Sequence, residues 1–206
     1  MLLGDLAAAS ASEELPITDE SRAMLREKFF SDTIVIRTRD DSIGSLHTIV
    51  ARTLELFRCA LRHSVPLRAG IAYGSWFESE TATKELFTGD ALLRAYGIGE
   101  TQQMMGVVVC DVVRERFIEK PFQLSSGLPV IKDYPVPVKG GGCQNRAVLN
   151  WPAICGNELR LVEPLSEKAL SQHFYSFGRY ETLDSSAKAK YSNTVGFIQA
   201  MANHSL

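Results

Sequence analysis

Residues 65 to 110 indicate the fold class more clearly than any other part of the sequence. It reads VPLRAGIAYG at 65–74, GDALLRAYGIGETQQM at 89–104 and GVVVC at 106–110. The first segment alternates apolar with small residues and predicts a strand, and the third is a short apolar run typical of a buried strand. The second segment predicts a helix, and a polar excursion at 75–88 precedes it. Strands that alternate with helices indicate an α/β sandwich rather than an all-α or all-β fold.

Upstream of this stretch, the residue pattern predicts two helices and a strand. A helix is predicted over Ser45–His63, because apolar residues recur there at spacings of three and four. These residues are Leu46, Ile49, Val50, Leu54, Phe57 and Leu61. A strand is predicted in the β-branched second half of Phe29–Ile36, and a charged turn over Arg37–Asp41. A shorter helix is predicted over Arg22–Lys28.

Downstream, prolines and glycines punctuate short strands. Residues 129–139 and 147–151 predict a β-hairpin, with Gly140–Gly142 between its strands. The glycine run fits a hairpin turn and also a loop that cradles phosphate, and the pattern alone leaves both open. Helices are predicted over Asp111–Ile118, Ser166–Phe177 and Ser185–Ala202.

Composition bounds the class of protein. The chain has 206 residues, of which 45% are apolar and 22% charged, and its net charge is −2. These values are typical of a globular protein and argue against a disordered or fibrous chain. The near-neutral charge argues against a nucleic-acid polymer as partner. The longest apolar run, Met104–Val113 with two interruptions, is too short to span a membrane.

We expect a single domain over 1–206, with a weakly patterned segment at 1–20 and a helical C-terminal extension at 160–206. The first residues carry no positively charged region and include Asp5, which argues against a signal peptide. The four cysteines form no CxxC pair, and no histidine lies near them at zinc-ligand spacing, so a zinc site is not expected. Free thiols in such a chain predict a reducing, cytoplasmic location.

Asp32 is the carboxylate that draws attention first. It follows two phenylalanines and precedes a β-branched run, which predicts a position at the turn into a buried strand. A carboxylate in such a place is costly unless it is paired, hydrogen-bonded or bound to a cation. Asp32 is therefore either a turn or cap residue or a Mg²⁺ ligand, since Mg²⁺ takes one or two carboxylates beside water and phosphates.

The order of the motifs resembles the catalytic domains of class III nucleotidyl cyclases, the adenylate and guanylate cyclases. The motifs are FSDTIVI (30–36), PLRAGIAYG (66–74), GDA (89–91) with the following AY (95–96) and Glu100, GVVV (106–109) and VPVKG (136–140). The resemblance runs from about Phe29 onward. It is closest to short bacterial members, which include the pyrimidine cyclases of Pycsar antiphage systems, and residues 148–152 and 190–194 also look like that branch.

This resemblance implies both a fold and an activity. The fold would be an α+β sandwich with a ferredoxin-like core. The protein would be a homodimer whose sites lie between two subunits and convert a nucleoside triphosphate to a 3′,5′-cyclic nucleotide and pyrophosphate. The closeness to the short bacterial branch suggests CTP or UTP as substrate and an antiphage signalling role.

The resemblance also assigns roles to individual residues. The family holds two ions, Mg²⁺ or Mn²⁺, on two aspartates, and Asp32 matches the second of these. Lys139 matches the lysine that holds the triphosphate, although by itself it would be taken for a solvated turn lysine. Lys28 stands where the family places a base-reading side chain, or is a solvated lysine at a helix end. The partner position for base reading is Leu86, which offers no hydrogen bond.

The chain departs from the family on the helix that follows Gly89. The places of an asparagine and an arginine that contact ribose and transition state hold Leu93 and Gly97. Arg94 and Arg68 are the nearest cations that could substitute as catalytic residues. Gly97 and Gly99 also predict a kink or a helix end, because each glycine costs about 1 kcal/mol relative to alanine in a helix interior.

The first metal aspartate of the family has no match. Residues 1–4 look like the end of the strand that carries it, so we expect an N-terminally shortened cyclase that lacks its first strand; Asp5 lies past the glycine and should not replace the ligand. Two other readings stay open. One is a cyclase-homology domain without catalysis that binds a nucleotide or dimerises, and the other is an α/β domain whose motif matches are coincidental.

Several other side chains need no functional role from sequence. Trp76, Trp151, Phe174 and Phe177 are predicted to lie in the core or a dimer interface rather than to stack on a base. Gln102 and Gln103 are predicted on a solvated or interface face of the second helix.

Overall fold

The structure is a computed structural model that describes residues 15, 17–30, 32–80, 85–124, 126–159, 162, 164–175 and 178–203. The predicted first-strand remnant at 1–4, Asp5 and Phe177 lie outside these residues. Most of the segment 1–20 lies outside them as well.

Helices and strands alternate along the described chain, so the mixed α/β class predicted from the sequence is confirmed. The strands are β1 (Leu25–Phe30), β2 (Thr33–Thr38), β3 (Arg68–Ile71), β4 (Phe77–Glu80), β5 (Glu85–Thr88), β6 (Gly106–Val109), β7 (Ile131–Pro137) and β8 (Cys143–Leu149). The α-helices are α1 (Asp19–Arg22), α2 (Ile43–Arg62), α3 (Asp90–Thr101), α4 (Asp111–Glu119), α5 (Trp151–Ile154), α6 (Gly156–Leu159), α7 (Glu167–His173) and α8 (Ser185–Asn203).

The largest sheet has four strands in the order β3-β6-β8-β7. Strands β3 and β6 are parallel, whereas β6–β8 and β8–β7 are antiparallel. The central strand β6 is buried along its whole length, as its apolar sequence predicts. Hairpins β1–β2 and β4–β5 form separate two-stranded sheets.

The hydrophobic core lies between this sheet and helices α2 and α8. Helix α2 begins after Ser42, whose hydroxyl accepts a hydrogen bond from the Ser45 amide at 3.2 Å. It buries the predicted apolar face, with Val50 and Leu54 fully enclosed. Trp151 packs between the rings of Phe57 and Phe197, at centroid distances of 5.3 and 6.0 Å. Within the described ranges, no helix is both long and apolar enough to cross a membrane.

The helix predicted over Arg22–Lys28 is wrong, because helix α1 ends at Arg22 and the following residues form strand β1. The strand was missed because its neighbouring charged residues pair with different elements on its two sides, and the spacing of apolar residues does not reveal such pairs. Glu27 points to helix α2, where it accepts a hydrogen bond from Arg52 at 2.8 Å, and Lys28 pairs with Glu78 on the opposite side. The predicted charged turn also begins too early, since residues 37 and 38 belong to β2.

Helix α3 lies close against strand β3. A Cβ placed on Gly70 would lie 2.3 Å from the Ala95 carbonyl oxygen, so glycine is what allows this approach. The helix continues through Gly97 and Gly99, and the break predicted there is displaced to Thr101. Gln102 is buried rather than solvated and donates a hydrogen bond to the Gly106 carbonyl oxygen at 3.0 Å.

Candidate functional site

Two of the cationic residues singled out from the sequence meet at one carboxylate. Arg68 lies on strand β3, Lys139 follows strand β7, and Glu100 lies in the last turn of helix α3. Arg68 Nη2 donates to Glu100 Oε1 at 3.0 Å, and Lys139 Nζ donates to Glu100 Oε2 at 3.0 Å. We call these three residues the Glu100 centre.

The backbone beside the Glu100 centre fixes where Lys139 begins. The Lys139 amide donates to the Thr101 carbonyl oxygen at 2.8 Å, and the Gln103 amide donates to the Pro137 carbonyl oxygen at 2.8 Å. A β-bridge between Gln102 and Val138 lies between these two bonds. The end of α3 and the end of β7 are therefore joined by hydrogen bonds. These bonds hold the backbone of Lys139 in place, while its ammonium group is exposed to solvent.

The electrostatics of the Glu100 centre favour an anion. Lys139 chiefly, and Arg68 next, hold the pKa of Glu100 below its usual range. Two cations share this one carboxylate, so the centre keeps an excess positive charge. The Lys139 side chain is 53% exposed and that of Arg68 31% exposed, so an anion from solvent can reach both. Lysine and arginine side chains in this arrangement suit phosphate oxygens.

The glycine run that follows Lys139 forms the hairpin turn between β7 and β8. Gly140, Gly141 and Gly142 have φ values of 88°, 95° and 80°, in the left-handed region that favours glycine. The Val138 amide donates to the Gly142 carbonyl oxygen at 3.2 Å and closes the turn. The turn predicted from the sequence is confirmed.

A second polar cluster joins the hairpins β1–β2 and β4–β5. The Glu78 carboxylate accepts hydrogen bonds from Lys28 and Arg37, and from Trp76 Nε1 at 3.3 Å. The Trp76 and Phe87 rings are stacked, with centroids 5.5 Å apart and planes 9° apart. Lys28 Nζ lies 5.4 Å from the Phe87 ring centroid, and the Arg37 guanidinium 5.5 Å from the Trp76 ring. We call these five residues the hairpin clamp.

The hairpin clamp changes the interpretation of Lys28. The residue lies on a strand rather than at a helix end, and its side chain is only 14% exposed, so it is not a solvated lysine. The hydrogen bond from Lys28, with contributions from Arg37 and Trp76, lowers the pKa of Glu78 to about 2. Trp76 belongs to this cluster rather than to the core, whereas Trp151 and Phe174 are buried as predicted.

The remaining predicted site residues are not hydrogen-bond or ion-pair partners of the Glu100 centre among the residues that the structure describes. Asp32 is in the turn between β1 and β2 and accepts a hydrogen bond from Thr33 Oγ1 at 3.3 Å. Its side chain is exposed and the strand after it is only partly buried, so the predicted entry into a buried strand is wrong. Leu86 lies on β5 with 66% of its surface exposed. Arg94 is exposed on α3 and makes no hydrogen bond or ion pair in the described part of the chain.

Asp32 offers a single carboxylate to a metal ion. Among the described residues, no three side chains of His, Cys, Asp and Glu form a group that could hold a metal ion. One exposed carboxylate fits one Mg²⁺ or Mn²⁺ ion whose other ligands are water and phosphate oxygens. It does not by itself fit the two ions that the family resemblance implies.

The sequence pointed to some of these residues and missed others. Arg68 and Lys139 were singled out separately, and Glu100 was noted only as part of a motif, without a partner. Glu78 and Arg37 were not singled out, because Glu78 lies in the polar excursion at 75–88 and Arg37 was assigned to a charged turn. Pairing between a carboxylate and cations far apart in sequence becomes visible only when the strands are assembled.

No protein-family model, curated protein or solved structure matches this chain. The functional assignment therefore depends on the residues, their contacts and the order of the motifs.

Proposed function

We propose that the protein is a metal-dependent nucleotidyl cyclase that converts a nucleoside triphosphate to a 3′,5′-cyclic nucleotide and pyrophosphate. The observation that carries the proposal is the Glu100 centre. Lys139, the lysine expected to hold a triphosphate, shares the Glu100 carboxylate with a second cation, Arg68. Its backbone amide is hydrogen-bonded to the end of α3, and the glycine turn follows it directly. The order of the motifs along the chain supports the same assignment.

The finer fold belongs to this proposal. We assign the α+β sandwich of class III cyclases, with a ferredoxin-like core. The alternation of helices and strands along the described residues and their four-stranded mixed sheet support it. A cytoplasmic location and a pyrimidine nucleotide as substrate in antiphage signalling are proposed with it, on the resemblance to the short bacterial branch.

In the proposed reaction the ribose 3′-oxygen forms a bond to the α-phosphorus of the same nucleotide. The bond from that phosphorus to the oxygen bridging the α- and β-phosphates breaks, and pyrophosphate leaves with the electron pair. The 3′-hydroxyl proton passes to solvent. Lys139 holds the β- and γ-phosphates and Arg68 lies beside it, so the leaving pyrophosphate develops its charge next to two cations. Asp32, brought to the site across the proposed subunit contact, would hold a divalent ion that adds positive charge at the phosphates.

A homodimer is proposed as the working form. Neighbouring exposed apolar side chains support it, because a contiguous apolar patch that stays in water in a monomer can be buried in a subunit contact. Phe77 and Leu86 are exposed on the same face of the β4–β5 hairpin, and Leu93 and Tyr96 are exposed three residues apart on helix α3.

A second candidate function is a cyclase-homology domain that binds a nucleotide without turning it over. The observation that favours it concerns helix α3. Leu93 presents an exposed apolar side chain and Gly97 none at all, where the family has an asparagine and an arginine. Arg94 is exposed beside them, and it would have to supply the missing charge.

The test is a turnover assay on the purified protein with ATP, GTP, CTP and UTP and with Mn²⁺, measuring pyrophosphate and cyclic product. We expect wild-type turnover of at least one nucleotide and a loss of about 100-fold or more in Lys139→Met. Lys168→Met is the matched control, because Lys168 is an exposed lysine paired with Glu181 at 3.2 Å on another part of the surface. Turnover that survives Asp32→Ala would remove the metal assignment alone.

Binding without turnover separates the candidates. Nucleotide binding by wild-type protein and Lys168→Met but not by Lys139→Met, with no product from any nucleotide, would support the second function. No binding of any of the four nucleotides would reject both functions and leave an α/β domain with coincidental motif matches.

A further inference from the structure

The Glu100 carboxylate occupies the same cations that the proposed function assigns to phosphate. Each of its oxygens accepts a 3.0 Å hydrogen bond, one from Arg68 and one from Lys139. A carboxylate and a phosphate are both anions that accept hydrogen bonds from ammonium and guanidinium groups. A ligand phosphate that binds Lys139 therefore competes with the Glu100 carboxylate, which already neutralises part of the positive charge of Lys139 and Arg68.

The surroundings leave room for a ligand on the Lys139 side. A Cβ added at Gly140, Gly141 or Gly142 would meet no atom within 4 Å, so the turn beside Lys139 is open. Arg68 is tied further to the fold, because its Nη1 donates to the Gln102 carbonyl oxygen at 3.4 Å. Of the two cations, Lys139 is the one that is free to exchange Glu100 for another anion.

We propose that Glu100 is an internal competitor for the ligand's phosphates and sets the affinity of the Lys139 and Arg68 cations for di- and triphosphates. This inference rests on the proposed function. A triphosphate displaces the Glu100 carboxylate from Lys139, while Arg68 keeps the carboxylate at the end of α3. Glu100 is a positioning residue in this scheme, because it acts on the ligand through the two cations.

The test is the affinity for inorganic tripolyphosphate in metal-free buffer, measured by isothermal titration calorimetry for wild-type protein and Glu100→Gln. The glutamine keeps the size and the acceptor oxygen but removes the negative charge. We expect Glu100→Gln to bind about five- to tenfold more tightly, the size expected when a like charge about 5 Å from an exposed anion is removed. The gain should shrink as the salt concentration rises.

The chain offers a matched control in Glu55, whose carboxylate also joins two cations. It pairs with Arg22 at 2.6 Å and with Arg52 at 2.7 Å, away from the Glu100 centre. Glu55→Gln makes the same change in net charge and should leave the tripolyphosphate affinity unchanged. The double variant Glu100→Gln/Lys139→Met should lose the gain, because the competition takes place at Lys139.

The outcomes distinguish a failure of the inference about Glu100 from a failure of the proposed function. Tighter binding in Glu100→Gln that disappears with Lys139→Met supports the inference. If wild-type binding depends on Lys139 but Glu100→Gln binds no more tightly, or Glu55→Gln gains equally, the inference is overturned and the proposed function stands. If neither wild-type protein nor Glu100→Gln binds tripolyphosphate through Lys139, both are overturned.

Discussion

Gly70→Ala should destabilise the protein, because helix α3 lies very close to strand β3 at this residue. The new Cβ would lie 2.3 Å from the Ala95 carbonyl oxygen and 3.0 Å from the Ile98 Cβ. Ordinary contact begins at 3.4 Å, so the helix must move away from the strand by about 1 Å. Overpacking of this kind costs about 1–3 kcal/mol, and we expect a value at the upper end because the nearest atom is backbone.

Gly97→Ala is the matched control, since it makes the same chemical change on helix α3 itself. A Cβ at Gly97 would meet nothing within 4 Å. Alanine is favoured over glycine in a helix interior, so this variant should gain about 0.5–1 kcal/mol. The two substitutions are therefore expected to shift the free energy of unfolding in opposite directions.

The assay is urea denaturation followed by circular dichroism, with the slope against urea concentration compared among the proteins. Gly70→Ala should unfold at a lower urea concentration than wild type and Gly97→Ala at a higher one. Gly70→Ala with wild-type stability would refute the close approach of α3 to β3. A loss in both variants would show that these glycines matter for a reason other than space.

Three further predictions concern other parts of the molecule. The pKa of Glu78 is lowered to about 2, so the stability that its ionised carboxylate contributes is present above about pH 5 and is lost as the pH falls toward 2. Glu78→Gln should therefore flatten the decline in the free energy of unfolding over that pH range. An unchanged decline would contradict the ion pairs of the hairpin clamp. A thiol reagent should label the exposed Cys59 and Cys143 in the folded protein but reach Cys155 only after denaturation. Cys155 is buried, and burial raises the pKa of its thiol. Rapid labelling of Cys155 in the folded protein would contradict its buried position. Ser42→Ala removes the cap of helix α2 and should cost about 1 kcal/mol in urea denaturation, whereas a loss below 0.3 kcal/mol would show that the cap contributes little.

Elements whose stability comes from apolar faces could be predicted from the sequence. Helix α2 is an example, because the spacing of Val50, Leu54 and Phe57 is local and these side chains are the ones buried. Strand β6 is another, because its short run of three β-branched valines fits a buried strand better than a helix. The hairpin β7–β8 followed from its glycine turn, where positive φ angles are required.

Elements held by charges between distant segments could not be predicted in this way. Strand β1 was taken for a helix because Glu27 and Lys28 look solvated until Arg52 and Glu78 are placed opposite them. The β4–β5 hairpin was missed within a polar segment, although its Glu78 joins it to β1–β2 through hydrogen bonds from Lys28 and Arg37.

The candidate site shows the same division. The sequence singled out Lys139 and Arg68, but only the structure places Glu100 between them. That contact depends on the end of α3, the start of β3 and the end of β7 meeting at one point, which no local pattern records. Asp32 was recognised as a turn residue, yet its exposure depends on how the β1–β2 hairpin packs.

If the Glu100 centre is the phosphate subsite of a nucleotide site, a crystal structure with a bound nucleotide analogue will show a phosphate there. Crystals would be grown with Mn²⁺ and an α,β-methylene analogue of each of the four nucleoside triphosphates in turn. We predict that the β- or γ-phosphate of at least one analogue lies within hydrogen-bond distance of Lys139 Nζ, with Glu100 moved off that atom. An analogue bound away from Lys139 and Arg68, or no bound analogue at saturating concentration, would contradict it.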